Sequence, residues 1–133
     1  MSLQIGKAIY ELLHSNTAVE AKVQDKVYPL VADKSTTFPF IVYKRTEIVP
    51  AYTKDRYSTN EYVTVEVIVA SDNYIETVEI ADLVRMALEG KQGTFANIWI
   101  DDIRIGSADE DFMEDTFIQT ITFNITTNGK HNS

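Results

Sequence analysis

The chain has 133 residues, a formal net charge of −8 at pH 7 and no cysteine. Its length suits one domain, residues 1–133, with a frayed tail at residues 129–133. The lack of cysteine excludes disulfides, thiolate metal sites and a cysteine nucleophile. No apolar segment approaches the roughly 20 residues of a membrane span. The first residues do not read as a signal peptide, because Lys7 comes before any apolar run of useful length. We therefore expect no membrane partner and folding in a cytoplasm.

Apolar residues at helical spacing predict three helices. The first helix spans residues 3–14, and its apolar side consists of Ile5, Ala8, Ile9, Leu12 and Leu13. Thr17 and Glu20 have the spacing of a capping box in front of a short second helix. Asn73 and Glu76 repeat that spacing in front of a third, longer helix.

Four segments have the character of strands. Residues 62–70 and 116–126 alternate apolar with polar side chains, as strands with one buried face do. Residues 38–43 form a short apolar run, and residues 95–105 are apolar apart from a turn or bulge at Asp101 and Asp102. The sequence thus predicts an α+β fold in the order α-α-β-β-α-β-β. The sheet is expected to be four-stranded and mainly antiparallel, with the helices packed on one face.

Residues 47–60 lack a clear periodicity, which indicates either a long hairpin arm or a mobile loop. Arg45, Tyr52, Arg56 and Tyr57 mix tyrosine with arginine in and beside this stretch. Such mixtures occur where proteins bind nucleic acid and also in protein interfaces. Because residues 67–133 hold 12 acidic and 4 basic side chains, the chain repels phosphate backbones, which favours a protein interface.

The third helix carries apolar residues on two sides. Ile75, Val78 and Met86 fall opposite its predicted core side, next to charged residues. Two explanations are open at this point. Either another element of the chain covers these three side chains, or they form part of a partner surface.

Seven carboxylates are concentrated between residues 101 and 115. Asp109 and Asp111 occupy the first and third positions of a calcium loop, but Met113 and Glu114 stand where that loop needs a ligand and a glycine. We therefore interpret residues 107–115 as a solvated acidic loop between two strands, without a metal.

Residues that would carry catalysis or bind a cofactor are not evident. His14 ends a helix and His131 lies in the tail, so neither stands in a catalytic motif. The five glycines are scattered and form no phosphate-binding loop. The sequence gives no argument for an enzyme and predicts no catalytic residue, metal ion or cofactor.

Three fragments in order carry a resemblance to a known family: TAVEAKV at residues 17–23, VYP at 27–29 and FPFIVY at 38–43. This succession resembles the small tail-completion proteins, also called tail terminator or tail-to-head joining proteins, of long non-contractile-tailed phages and prophages. The strand, helix and two strands that follow match the same layout. The resemblance therefore covers nearly the whole chain as a single tail-terminator-like domain.

The resemblance implies a structural protein, not an enzyme, that caps the completed tail tube, stops its polymerisation and joins the tail to the head. Its implied partners are further copies in a six-membered ring, the tail-tube protein and the head connector. It would assemble in the host cytoplasm and then reside in the virion tail. The alternatives are another head- or tail-completion factor and a small metal- or ligand-binding domain.

Two surfaces are expected to serve this role. The protein interface is expected at Ile75, Val78, Met86, Arg45, Tyr52, Arg56 and Tyr57. DNA passes through a tail without specific binding, so acidic side chains suit the channel that it crosses. The channel-facing set is expected to consist of Asp109, Glu110, Asp111, Glu114 and Asp115.

Overall fold

A computed structural model describes residues 2–52 and 57–128. After a short 3₁₀ turn at Ser2–Gln4, the helices are α1 (Ile5–His14), α2 (Thr17–Val23) and α3 (Tyr74–Leu88). The strands are β1 (Val27–Pro29), β2 (Phe40–Tyr52), β3 (Tyr57–Ser71), β4 (Gly93–Phe95), β5 (Ile98–Met113) and β6 (Thr116–Asn128). The predicted tail at residues 129–133 lies outside the described residues.

The sheet has six strands in the order β1-β2-β3-β6-β5-β4 and curls as a half-barrel. β1 runs parallel to β2, and every other neighbouring pair is antiparallel. The predicted four-stranded, mainly antiparallel sheet is therefore wrong, and the chain order is α-α-β-β-β-α-β-β-β. The prediction missed β1 and β4 because strands of three residues are too short to show a period of two.

Side-chain caps begin two of the helices. Asn73 Oδ1 accepts from the Glu76 amide at 2.9 Å and starts α3, as the sequence predicts. Asn16 Oδ1 accepts from the Val19 amide at 3.1 Å and starts α2. The predicted capping box at Thr17 was one residue late, because Thr17 is already the first helical residue.

The core lies between the three helices and one face of the sheet. The four alternating valines of β3 are buried, as are the apolar side of α1 and most of the inner side of α3. Phe123 in β6 is the largest fully buried side chain and packs with this cluster. Among the described residues, the helices therefore cover one face of the sheet only, and the other face carries no helix.

Residues 107–113 of the acidic stretch form a strand rather than the predicted loop, and residues 114 and 115 form the turn that follows it. β5 continues to Met113 and pairs with β6 along its length, with register shifts around Asp101 and Gly106. At the second shift a Cβ on Gly106 would lie 2.6 Å from Asn124 Nδ2, which favours glycine there. The loop prediction failed because this end of β5 is exposed on both faces and shows no apolar alternation.

Residues 47–52 and 57–60 belong to a hairpin arm, one of the two alternatives that the sequence leaves open. β2 extends to Tyr52 and β3 begins at Tyr57, and these two residues form the last pair of the register. Residues 53–56 lie outside the described residues.

The β5–β6 hairpin closes through a strained two-residue turn. Glu114 and Asp115 have φ values of 52° and 57°, which are left-handed conformations that favour Asn-Gly. We expect the double variant Glu114→Asn with Asp115→Gly to raise the free energy of unfolding by about 1 kcal/mol, as measured by urea denaturation. The control is Glu114→Ala with Asp115→Ala, which removes both charges and keeps the strain. An equal gain in the control would assign the effect to charge and contradict the prediction.

Candidate assembly surfaces

An apolar strip on α3 faces solvent. Ile75, Val78 and Met86 are 62%, 40% and 66% exposed, respectively, while the opposite side of the helix packs into the core. Close by, Lys22 Nζ on α2 lies 3.8 Å from Glu79 Oε1 on α3. Within residues 2–52 and 57–128, no element buries the three side chains. Their place on the outside agrees with the second of the two explanations that the sequence allows.

The arm formed by β2 and β3 holds three of the other predicted interface residues, Arg45, Tyr52 and Tyr57. Arg45 is exposed, and its Nη1 donates to the Leu3 carbonyl at 2.7 Å, so it ties the N-terminal turn to β2. Tyr52 and Tyr57 lie at the end of the arm as paired residues, but their side chains are not among the described ones. Arg56 lies outside the described residues. The structure therefore separates Arg45 from the strip on α3 by placing them on different elements.

The five predicted channel-facing carboxylates do not share a face. Asp109 and Asp111 alternate with Glu110 along β5, so Asp109 and Asp111 lie on the helix-free face and Glu110 on the helix side. Glu114 and Asp115 form the turn at the end of the hairpin. Sequence reasoning grouped the five because it treated their segment as a loop.

The helix-free face of the sheet is broad and rich in small polar residues. β6 contributes every second side chain, and its register with β3 and β5 fixes which neighbours share the face. The uncharged polar members from β3 and β6 are Asn60, Thr64, Thr116, Thr120, Thr122, Asn124, Thr126 and Asn128. The carboxylates on this face are Glu47, Glu66, Asp102, Asp109 and Asp111, and the cations are Lys44 and Arg104. Among the described residues, carboxylates therefore outnumber cations on this face.

A small polar and aromatic cluster, which the sequence did not predict, joins α3 to the β5–β6 hairpin. The Tyr74 hydroxyl donates to Glu110 Oε2 at 2.9 Å, and Gln119 Nε2 donates to the same oxygen at 3.0 Å. Phe117 contacts Tyr74 and Phe112, with ring centroids 5.8 and 4.7 Å away. An open cleft of about 250 Å³ is lined by Tyr74, Glu110, Asp111, Phe112 and Phe117. The alternation of Ala108, Glu110 and Phe112 would have revealed the cluster had the segment been assigned as a strand.

Hydrogen bonds shift the pKa values of Glu110 and Tyr74 in this cluster. The amide of Gln119, and after it the hydroxyl of Tyr74, stabilise the ionised form of Glu110 and lower its pKa below the ordinary value. The same bond to Glu110 raises the pKa of Tyr74. Because the folded-state pKa of Glu110 is lowered, its contribution to stability is present above its unfolded pKa and is lost as the pH falls through the folded one.

We expect Gln119→Leu and Tyr74→Phe each to raise the pKa of Glu110 toward its ordinary value, with the larger rise for Gln119→Leu. Carboxyl-carbon NMR shifts followed against pH measure the change. The control Tyr10→Phe removes a tyrosine hydroxyl from α1 and should not change the pKa of Glu110. A Glu110 pKa that stays constant in both cluster variants would contradict the assignment of these two bonds.

Groups suited to chemistry are sparse in the described part of the chain. His14 stacks on Tyr10 with ring centroids 5.0 Å apart. Residues 2–52 and 57–128 contain no group of three or more histidine or carboxylate side chains that could hold a metal ion. No helix described here is both long and apolar enough to cross a membrane. The most distinctive features of the described surface are thus its exposed apolar strip and its open sheet.

Comparison with known proteins identifies the family. The family described as "Tail completion protein gp17" matches residues 7–128. The chain has no match among the curated proteins. One chain of a solved structure titled "Virion of native gene transfer agent (GTA) particle" has a TM-score of 0.75 and 18% sequence identity, over 92% of each chain, so the two share a fold. The match over residues 7–128 confirms the resemblance inferred from the sequence: the chain belongs to the phage tail-completion family that is described as tail completion protein gp17.

Proposed function

We propose that this tail-completion protein caps the finished tail tube as a ring of identical copies, stops further tube subunits from adding and presents its other side to the head connector. The observation that carries the proposal is the family match over residues 7–128. A tube grows by repeating one head-to-tail contact, so its end stays open until a subunit with one matching and one different face occupies it. The role is structural and needs no catalytic group.

The exposed apolar strip on α3 supports a role in contacts between virion proteins. Ile75, Val78 and Met86 are large apolar side chains that remain in water in the single subunit. Burying such a strip against another protein releases its hydration and favours association. We propose that this strip contacts the tube protein or the connector. We propose that Arg45, Tyr52, Arg56 and Tyr57 serve contacts with other virion proteins, which include neighbouring copies of the chain.

The helix-free face suits the inside of the ring. It carries an excess of carboxylates among polar, uncharged side chains, including Asp109 and Asp111. Such a surface repels phosphates and offers DNA few strong contacts, so DNA slides past without specific binding. Of the five carboxylates that the sequence suggested for the channel, Asp109 and Asp111 lie on this face. Assembly would take place in the host cytoplasm, before the protein enters the virion tail.

An elongation assay tests the capping role. Purified chain is added to polymerising tail-tube protein from the same virus, and tube lengths are measured by electron microscopy over time. We expect elongation to stop in proportion to the added chain. Continued growth at saturating chain would overturn the proposal.

The same assay tests the α3 strip. Ile75→Asp with Val78→Asp should weaken capping, because two charges then face the partner. The control Leu30→Asp with Val31→Asp changes an apolar pair that is exposed at 72% and 75% elsewhere. Equal loss in both variants would remove the strip from the contact.

A further inference from the structure

Two strands leave part of their outer backbone edge unused. β1 pairs with Ile41–Tyr43 of β2, and β4 pairs with Ile98–Ile100 of β5. Beyond β4, Gly90 N donates to the Ile103 carbonyl, and Glu89 Oε2 accepts from the Ile105 amide. In the described part of the chain, no strand lies beside residues 44–49 of β2 or residues 106–113 of β5 on their outer sides. Unpaired edges of this length are templates for pairing with another chain.

The directions of the two edges allow a second copy to continue the sheet. β2, β3, β6 and β5 alternate in direction because each neighbouring pair is antiparallel. β5 therefore runs opposite to β2. A copy rotated about an axis near the strand direction brings its β2 antiparallel to the β5 of its neighbour, and the same step repeats around a ring.

The backbone groups of the two edges are in phase at residues 44–45 of β2 and 112–113 of β5, just before the register shift that follows Arg45. Ile41 N and Tyr43 O bond to the β1 segment, so outward groups on β2 fall at odd residues up to Arg45. On β5 the backbone carbonyl of Ile103 and the backbone amide of Ile105 point toward the outer edge. The one-residue shift that follows moves the residues with outward backbone groups to 108, 110 and 112. The side chains of Arg45 and Phe112 both lie on the helix side of the sheet. The two residues can therefore pair while the sheets of both copies keep their helices on the same side.

Side chains at the two edges complement one another. With Arg45 opposite Phe112, Lys44 lies beside Met113 and one diagonal step from Asp111, while Arg45 lies one diagonal step from Glu110. Phe112 and Met113 are 53% and 52% exposed in the single subunit. The pairing thus brings cations to carboxylates and covers two large apolar side chains. Leu30, which follows β1 and whose N donates to the Tyr43 carbonyl, ends this pairing on one side. Pro50, which has no N–H, limits it on the other.

We propose that neighbouring copies join through strand addition, with the free edge of β2 in one copy paired antiparallel to the free edge of β5 in the next. The ring then encloses a continuous sheet, with the helices outside and the helix-free face inside. This inference rests on the proposed ring and names the contact that closes it.

Introduced cysteines test the contact, since the chain has none of its own. The full-length double variants Lys44→Cys with Met113→Cys and Lys44→Cys with Asp111→Cys are bound to tail tubes and oxidised, and denaturing gels are run. We expect at least one to give a ladder of cross-linked multimers. The comparison variant Val78→Cys with Met113→Cys places the first thiol on α3. A ladder from the comparison variant alone, or no ladder from either edge variant on capped tubes, would overturn the strand contact.

A charge exchange provides a second readout that does not depend on thiols. Lys44→Asp should weaken association between copies about fivefold, and adding Asp111→Lys should restore it. The control exchange, Lys22→Glu with Glu79→Lys, reverses an ion pair on the helices and should change nothing. Failure of restoration contradicts the edge contact. If the parent chain does not cap tubes at all, the proposed function is wrong. If it caps tubes but the charge exchange does not restore association, only the edge contact is wrong.

Discussion

Phe123→Ala is expected to lower the free energy of unfolding by about 3–5 kcal/mol. Phe123 is fully buried in β6 between β3 and β5, where it pairs in register with Val65 and Ile105. Truncation removes the apolar contacts of the phenyl ring and leaves a cavity. The sheet cannot close this cavity by a small movement, because β6 is held by a neighbouring strand on each side. Urea denaturation of the isolated chain measures the change.

The neighbouring residue provides the control for this prediction. Thr122 lies next to Phe123 on β6 but on the helix-free face. Thr122→Ala should cost less than about 1 kcal/mol, since only strand preference and surface contacts change. Similar losses in the two variants would show that Phe123 does not anchor the core.

Reversing the charge of the helix-free face is expected to create DNA binding that the parent chain lacks. The variant changes Glu47, Glu66, Asp109 and Asp111 to lysine. Each substitution adds two units, so the formal net charge goes from −8 to 0. Four lysines on one face can contact phosphates together, and binding should fall with a slope of about −3 in log affinity against log salt. Fluorescence anisotropy with duplex DNA measures both quantities.

A control variant with the same net charge separates the effect of lysines on the helix-free face from the effect of net charge alone. It changes Glu11, Glu20, Glu79 and Asp82, which are exposed on the helices, to lysine. These lysines are spread over three helices, so we expect markedly weaker binding. Equal binding in the two variants, or tight binding by the parent at physiological salt, would contradict a DNA-repelling channel face.

The sequence predicts those parts of the fold in which burial differs between two faces. The alternating valines of β3 and the apolar side of α1 are buried as their spacing indicates. Asn73 caps α3 because a side-chain acceptor just before a helix satisfies a free amide. The sequence also placed Ile75, Val78 and Met86 outside the core stripe of α3, but it left open whether another element covers them, and the structure leaves them exposed.

The errors lie where burial leaves no pattern in the sequence. Among the described helices, the end of β5 meets only the start of α3, through Tyr74, so its residues remain exposed on both faces and their acidic sequence resembles that of a loop. β1 and β4 are strands only because longer neighbours hold them, and three residues carry no detectable period. The cluster of Tyr74, Glu110 and Gln119 depends on strand register, which local sequence does not encode.

Deleting the gene from the virus that encodes this chain tests the central claim most directly. Electron microscopy of the lysate should show DNA-filled heads together with unattached tubes of abnormal length, because an uncapped end keeps growing and offers no surface for the head. Supplying the chain in trans should restore both normal length and attachment. Tails of normal length on normal heads in the deletion would contradict the capping and joining role.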